Sequence, residues 1–332
     1  MSAEPRRAPT LTGERQGRVP DFFIVGHAKS GTTALYEMLR RHPQIYMPES
    51  KEPWFFARDM RRRFQPPGSP GAPETLDQYL ALFADAGADQ LVGEASSSYL
   101  WSRTAASAIA KARPDARVIA ILREPASFLR SLHLQLLQTH VEVERDLRRA
   151  IALEAARRRG RHVPRRSPRP QLLQYSDHVR YSEQLRRYHE LFGRDQVLVL
   201  IYDDFRRDNE QVVRRVLRFL EVDESHPIEL VDANPTILIR SQQLDDLVHA
   251  VSVGRGNYSR VAKGTLKALA PRVLRRGILR LAQRRVVYGK APPPDPQLML
   301  ELRRRFKSEV VALSEYMDRD LVSLWGYEDV AC

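Results

Sequence analysis

DFFIVGHAKSGTT, residues 21–33, is the stretch on which the fold turns. Residues 21–25 form a short apolar run of strand length and composition. Gly26 and Gly31 bracket a tight turn, and Thr32 opens an amphipathic helix through Arg41 with Leu35, Met38 and Leu39 on one face. A strand, a glycine turn and a helix N-terminus together make an anion site. The first backbone N–H groups of the helix lack intrahelical acceptors, and the helix dipole favours negative charge there.

The two glycines have the separation of the nucleotide-binding loop G-x-x-x-x-G-K-[ST]. Here Thr32 stands where that loop has lysine, and the lysine has moved upstream to Lys29. A lysine before the second glycine approaches a bound phosphate from a different side. The turn therefore suits an anionic phosphate ester better than the β/γ end of a magnesium nucleotide.

The 332 residues allow one large α/β domain, and 42% hydrophobic content is enough for a sizeable core. The net charge is +13, with seven lysines among 54 basic residues, so each lysine is informative; two of them are Lys29 and Lys51. This balance suits an anionic ligand, a nucleic acid or an anionic membrane surface. The one cysteine, Cys332, cannot form an internal disulfide, which points to a reducing, cytoplasmic compartment. No apolar run reaches the roughly 18 residues of a membrane-spanning helix. Residues 1–20 are rich in Arg, Pro, Gly and Thr and read as a disordered arm, leaving residues 21–332 as a single domain.

Beyond the first helix, prolines 43, 48 and 53 forbid a long helix, and Lys51-Glu52 is followed by Trp54, Phe55 and Phe56. Two readings stay open for that pair: a surface ion pair beside core aromatics, or a carboxylate held over a dry aromatic floor. Residues 65–73 are loop, 75–83 helix and 90–94 a short strand ending in a polar turn at 95–98. Ligands of open α/β sheets bind beyond the carboxyl ends of strands, which puts Glu94 and Ser96 to Ser98 beside a site or in a plain turn. Residues 117–122 are a second apolar strand, running into Arg123 and a helix over 127–140 started by Pro125.

A charged helix over 142–159 and an Arg/Pro/Ser run over 161–170 follow, so that 141–170 is a basic helix and loop. It reads either as a solvated loop or as a lid that recognises an acidic acceptor. The pattern continues with a helix over 176–192, a third strand over 196–202, Asp203-Asp204, and a helix over 210–220. From 234 the chain reads as mostly helical, over 241–251, 266–283 and 296–325. Strands alternating with helices predict a P-loop-like, doubly wound parallel sheet with helices on both faces and a helical C-terminal part.

Two blocks resemble the sulfotransferase superfamily that uses 3′-phosphoadenosine 5′-phosphosulfate, PAPS. FIVGHAKSGTTAL is similar to its 5′-phosphosulfate-binding loop, and VIAILREPASFLRS to its 3′-phosphate-binding segment, with Arg123 and Ser131 eight apart. The strand ending at Tyr202 resembles a further element whose tyrosine lies near the cofactor. The resemblance covers roughly residues 20 to 225. It implies that Lys29 contacts the phosphosulfate and stabilises charge on the bridging oxygen, and that Ser30, Gly31, Thr32 and Thr33 cradle the 5′-phosphate. It also implies that Arg123 and Ser131 hold the 3′-phosphate, and that no metal is needed. Arginine suits such a role because its guanidinium bonds phosphate oxygens bidentately.

Aryl and steroid sulfotransferases use a histidine base after a middle strand, and GEASSSYL at residues 93–100 has none. The chain looks more like the heparan N-deacetylase/N-sulfotransferase branch, carbohydrate sulfotransferases and bacterial relatives. There a glutamate on the loop after the first helix is the base, which corresponds to Glu52, with Glu94 and then His133 as the next candidates. That branch carries a lysine where this chain has Ala95, so its heparan substrate does not transfer. The expected activity is sulfuryl transfer from PAPS to a hydroxyl, in preference to an amine, of a small-molecule, glycan or glycolipid acceptor. Two rivals are a P-loop kinase, which would use Asp203 or Asp204 for Mg²⁺, and a nucleic-acid binder using the arginines at 157–169.

Overall fold

The computed structural model describes residues 18–60, 73–164, 167, 170–231, 237–239, 288–290 and 293–331. Five strands form one parallel sheet: β1 (Phe22–Gly26), β2 (Ile45–Tyr46), β3 (Leu91–Ala95), β4 (Arg117–Leu122) and β5 (Val197–Ile201). Their order is β2-β3-β1-β4-β5, so β1 is central. Phe22 lies in register with Gly93 on one side and Arg117 on the other.

β1, β4 and β5 are near-continuous apolar runs because both faces of the sheet are covered, as expected for a parallel sheet. One face carries Ile24, Ile119, Ile121 and Leu200, packed with residues of α1 (Thr32–Arg40), α9 (Tyr202–Arg207) and α10 (Asn209–Leu220). The other carries Phe23, Val25, Val118, Ala120 and Leu122. Against it pack α2 (Leu76–Ala81), α3 (Ala105–Ala112), α4 (Pro125–Gln138), α8 (Tyr181–His189) and α11 (Pro296–Met317). Each large side chain buried in this way stabilises the fold by about 1.5–3 kcal/mol relative to exposure.

Glu124 fixes the start of α4. Its carboxylate accepts from the backbone N–H groups of Ala126 (3.2 Å) and Ser127 (2.7 Å), with Pro125 in the first turn. The C-terminal segment is tied to this cap and to the end of β5. Tyr327 Oη donates to Glu124 (2.7 Å), Trp325 Nε1 to Asp203 (3.0 Å), and Arg319 pairs with Asp204 (2.6 Å). The two aspartates are thus held by tryptophan and arginine, and Asp204 also by Arg207 (2.9 Å), an arrangement that gives them no Mg²⁺-facing role.

Four features differ from the sequence reading. β2 was missed, being two residues between Pro43 and Pro48 at the sheet edge. The expected helix over 142–159 is two short helices, α5 (Leu147–Ala152) and α6 (Glu154–Arg158). Residues 142–146 are non-helical because Glu142 turns its carboxylate onto the N–H groups of Val143 and Glu144 and onto Arg157, and Asp146 caps α5. The helix over 176–192 breaks between α7 (Tyr175–His178) and α8. The last helix ends at Met317, where Asp318 turns left-handed (φ 50°), and resumes as α12 (Leu321–Leu324). A short antiparallel pair, Ile237–Ile239 with Tyr288–Lys290, is also present. The helices expected over 241–251 and 266–283, most of the 1–20 arm, and much of the arginine-rich run at 161–169 lie outside the described residues.

Glu142 and Arg157 form a bidentate pair at 2.7 and 2.8 Å with side chains 0% and 1% exposed. Burial pushes the Glu142 carboxyl up, yet Arg157 and two backbone N–H groups outweigh it and hold the group below its ordinary value. Arg157→Ala leaves that charge buried and uncompensated, and is expected to cost about 3–5 kcal/mol of stability by urea unfolding at pH 7. A depressed folded value means that this stability is full above the unfolded carboxyl value, about 4.3, and is lost as pH falls through the folded one. The variant should show a shallower acid limb of stability.

Candidate functional site

At the carboxyl ends of β1, β3 and β4 lies a cleft of about 490 Å³. It is lined by Lys29, Gly31, Thr32 and Thr33 from the first turn, Lys51 and Glu52 from the following loop, Ser97 after β3, Arg123 after β4, Ser131 and Gln135 on α4, and Tyr202 and Arg206 on α9. This is the crevice position expected of an open α/β sheet.

Gly31 has φ +89°, and a Cβ there would lie 2.9 Å from the Phe205 ring and 3.4 Å from Tyr202. Only glycine fits both the backbone and the space, which brings the helix N-terminus up against α9. Lys29 is also left-handed (φ 61°), as are Glu52 (φ 63°) and Trp54 (φ 53°). Such conformations cost about 1–3 kcal/mol each and persist where the surroundings over-determine them.

Those surroundings are visible. Arg123 Nη1 donates to the Lys29 carbonyl at 2.8 Å and its guanidinium lies 4.7 Å from the Tyr202 ring centroid, so one arginine pins the turn and stacks on the cleft wall. Tyr181 Oη in turn donates to the Arg123 carbonyl at 3.0 Å. Below the turn, His27 Nε2 meets Gln184 Oε1 at 2.8 Å; burial pushes this imidazole down to about 3, so it is neutral. Burial, and secondarily Arg123, lowers the Lys29 ammonium below its ordinary value.

Glu52 lines the same cleft from the loop that follows α1. Its N–H donates to the Ala95 carbonyl (3.0 Å), which ties the loop to the end of β3. Its Oε2 accepts from Trp54 Nε1 (2.7 Å) and the Ser97 N–H (2.9 Å), and its Oε1 from Ser97 Oγ (2.7 Å). Lys51 Nζ lies 3.5 Å from the same Oε1 and 2.8 Å from Thr33 Oγ1. Phe55 and Phe56 pack with Tyr79 beneath, the first stacked at 4.4 Å and the second edge-on at 5.2 Å. Lys51 and Glu52 thus form an ion pair that lines the cleft, next in the chain to this aromatic cluster.

The other carboxylate candidate is elsewhere. Glu94 is fully buried, its Oε2 accepting from Tyr79 (2.8 Å) and Tyr99 (2.9 Å), and burial pushes it up to about 7. It does not line the cleft. His133 is buried too, with Nδ1 2.9 Å from Tyr175 Oη and Nε2 3.1 Å from the Arg145 carbonyl. Ser30 is a departure from expectation: its side chain is fully buried, with Oγ on the Ala28 carbonyl (3.4 Å), and it does not line the cleft. The rest of the predicted set, Lys29, Gly31, Thr32, Thr33, Glu52, Arg123, Ser131 and Tyr202, converges there. Gln135 and Arg206 were missed, though each sits four residues after a predicted one, Ser131 and Tyr202, the spacing that shares a helix face.

No helix among the described residues is long and apolar enough to cross a membrane. In structure, the chain is similar to a sulfotransferase from Alicyclobacillus acidocaldarius, at TM-score 0.65 and 29% identity, over 93% of this chain and 99% of that one. In sequence it is similar to membrane-associated sulfotransferase kil1 of Dictyostelium discoideum, 31% identical over 32% of this chain and 21% of that protein. It is also similar to human heparan sulfate glucosamine 3-O-sulfotransferase 6, 34% identical over 36% of this chain and 31% of that protein. The matched region thus spans under a third of the length of either of these two relatives. A family model described as the sulfotransferase family matches residues 20–226, well over half of the chain. With that match laid over the turn, the Arg123 strand end and the Glu52 loop, the chain belongs to the sulfotransferase family.

Proposed function

We propose that this protein transfers the sulfuryl group of PAPS to a hydroxyl, in preference to an amine, of a small-molecule, glycan or glycolipid acceptor. The observation that carries the reading is the convergence of Lys29, Arg123, Ser131 and Glu52 in one cleft. The cleft fits such a cosubstrate: a helix N-terminus behind Gly31, where only glycine fits, for one phosphate, and Arg123 and Ser131 for a second. PAPS supplies the activated sulfuryl group. Thr32, Thr33 and the N–H groups of the turn hold the 5′-phosphate, and Arg123 and Ser131 the 3′-phosphate, with Tyr202 alongside. Glu52, oriented by Ser97 and Trp54, takes the acceptor proton as general base. Lys29 stabilises the negative charge that develops on the bridging oxygen.

The carbohydrate named for one relative supports keeping glycans among the acceptors. A cytoplasmic setting suits the lone cysteine. The basic segment at 141–170 is kept as a candidate acceptor lid.

The test is thermal shift and calorimetry with 3′-phosphoadenosine 5′-phosphate, PAP. A ligand that binds only the folded state raises the melting temperature, by RT ln(1 + [L]/Kd), about 2.7 kcal/mol at a hundredfold excess over Kd. PAP is expected to stabilise strongly, and adenosine 5′-phosphosulfate, which lacks the 3′-phosphate, and Mg-ATP much less. Equal affinity for PAP and adenosine 5′-phosphosulfate would remove the 3′-phosphate site from Arg123 and Ser131.

A further inference from the structure

Lys51 stands between the two chemical ends of the cleft. Its ammonium is 2.8 Å from Thr33 Oγ1, on the phosphate side, and 3.5 Å from Glu52 Oε1, on the base side. The side chain is 18% exposed and its Nζ lies 5.9 Å from the Tyr36 ring centroid. Tyr36 is itself tied to the loop through its hydroxyl on the Pro48 carbonyl. The backbone of this loop is equally fixed, by the Glu52 N–H on Ala95 and the left-handed Glu52.

A stabilising surface ion pair would not be built in this way. Such pairs contribute little even when well formed, and this one is long on its carboxylate side, while burial penalises the ammonium and lowers it below its ordinary value. A cation held in a partly dry cleft at a cost is what an anionic reactant needs.

We propose that Lys51 is a second catalytic cation, contacting the non-bridging oxygens of the sulfuryl group in flight. This rests on the proposed PAPS reading of the cleft. In an in-line transfer the acceptor oxygen, the sulfur and the leaving oxygen lie on one axis, from the base side to the phosphate side. The acceptor O–S bond forms, the S–O bond to the 5′-phosphate breaks with its electron pair staying on the phosphate, and the acceptor proton passes to Glu52. The three remaining sulfuryl oxygens stand around that axis. A group in contact with both Thr33 and Glu52 lies beside it, whereas Lys29 belongs to the turn at its leaving end. The two lysines thus divide the developing charge, Lys29 the bridging oxygen and Lys51 the equatorial ones.

The experiment compares wild type, Lys51→Met and Lys51→Arg for PAP binding, PAPS binding without acceptor, and turnover. PAP lacks the sulfuryl group. Lys51→Met is therefore expected to keep PAP affinity within about threefold, lose PAPS affinity about tenfold, and lose turnover about 10²-fold, as for removal of one charge-stabilising donor. Lys51→Arg should recover part of both losses. Near wild-type turnover in Lys51→Met, or equal losses of PAP and PAPS affinity, would overturn the assignment while leaving the PAPS reading intact. Failure of wild-type protein to bind PAP would overturn both.

Discussion

Glu52→Gln is expected to lower turnover by about 10²–10⁴-fold, the usual worth of a general base, with PAP affinity nearly unchanged. The geometry allows the substitution to be read cleanly. The glutamine oxygen can take the place of Oε2, accepting from Trp54 Nε1 and the Ser97 N–H, while its amide donates to Ser97 Oγ where Oε1 now accepts. What is lost is the ability to take a proton and the charge that faces Lys51 at 3.5 Å. Steady-state kinetics, with PAP calorimetry as the folding and binding control, decides it. Near wild-type turnover in Glu52→Gln would move the base elsewhere. The sealed position of Glu94 and the engaged nitrogens of His133 leave neither as a ready replacement.

How much of this could be read from sequence follows from what each signal depends on. The central strands at Phe22–Gly26, Arg117–Leu122 and Val197–Ile201 match the reading to within a residue, because strands buried on both faces are apolar without interruption. The turn was legible because an anion-binding helix start needs glycine at a position like Gly31. The break at Glu142 was illegible. A run of Glu, Arg and Ala is good helix sequence, and only the buried Arg157 fifteen residues later makes Glu142 bond its own backbone. Lys51 and Ser97 belong to the same kind of case. Sequence put Lys51 on the loop after the first helix and Ser97 at a strand end, yet only the fold shows that Ser97 holds both oxygens of Glu52 and that Lys51 reaches Thr33 across 18 residues.

Lys29→Ala should do what Glu52→Gln does not, weakening the cosubstrate and slowing transfer together. Lys29 is on the turn proposed to wrap the phosphate, so on that reading its ammonium meets the ligand in the ground state. In the proposed PAPS reading it also faces the bridging oxygen, whose charge grows as the S–O bond breaks, so part of its contribution exists only in the transition state. Removal of such a group costs about 10²–10³-fold in kcat, and the lost ground-state contact should weaken PAP about tenfold or more, since hydrogen bonds to charged groups contribute about 1.5–3 kcal/mol. The product, kcat/KM, should fall by at least about 10³-fold. The pH dependence provides a second check. Lys29 works protonated, and burial beside Arg123 sets its value below that of an ordinary lysine. Wild-type kcat/KM should therefore decline on the alkaline side earlier than a lysine near 10.4 would impose. Lys29→Arg, charged at every accessible pH, should shift that decline upward even if the longer, forked side chain costs rate. Two controls keep the result interpretable: Arg123 loses its carbonyl partner in neither variant, because it bonds the backbone of residue 29, and the left-handed conformation there is no harder for alanine or arginine than for lysine. A Lys29→Ala protein that binds PAP as wild type does and loses only turnover would confine Lys29 to the leaving oxygen, and one that loses only affinity would confine it to the phosphate.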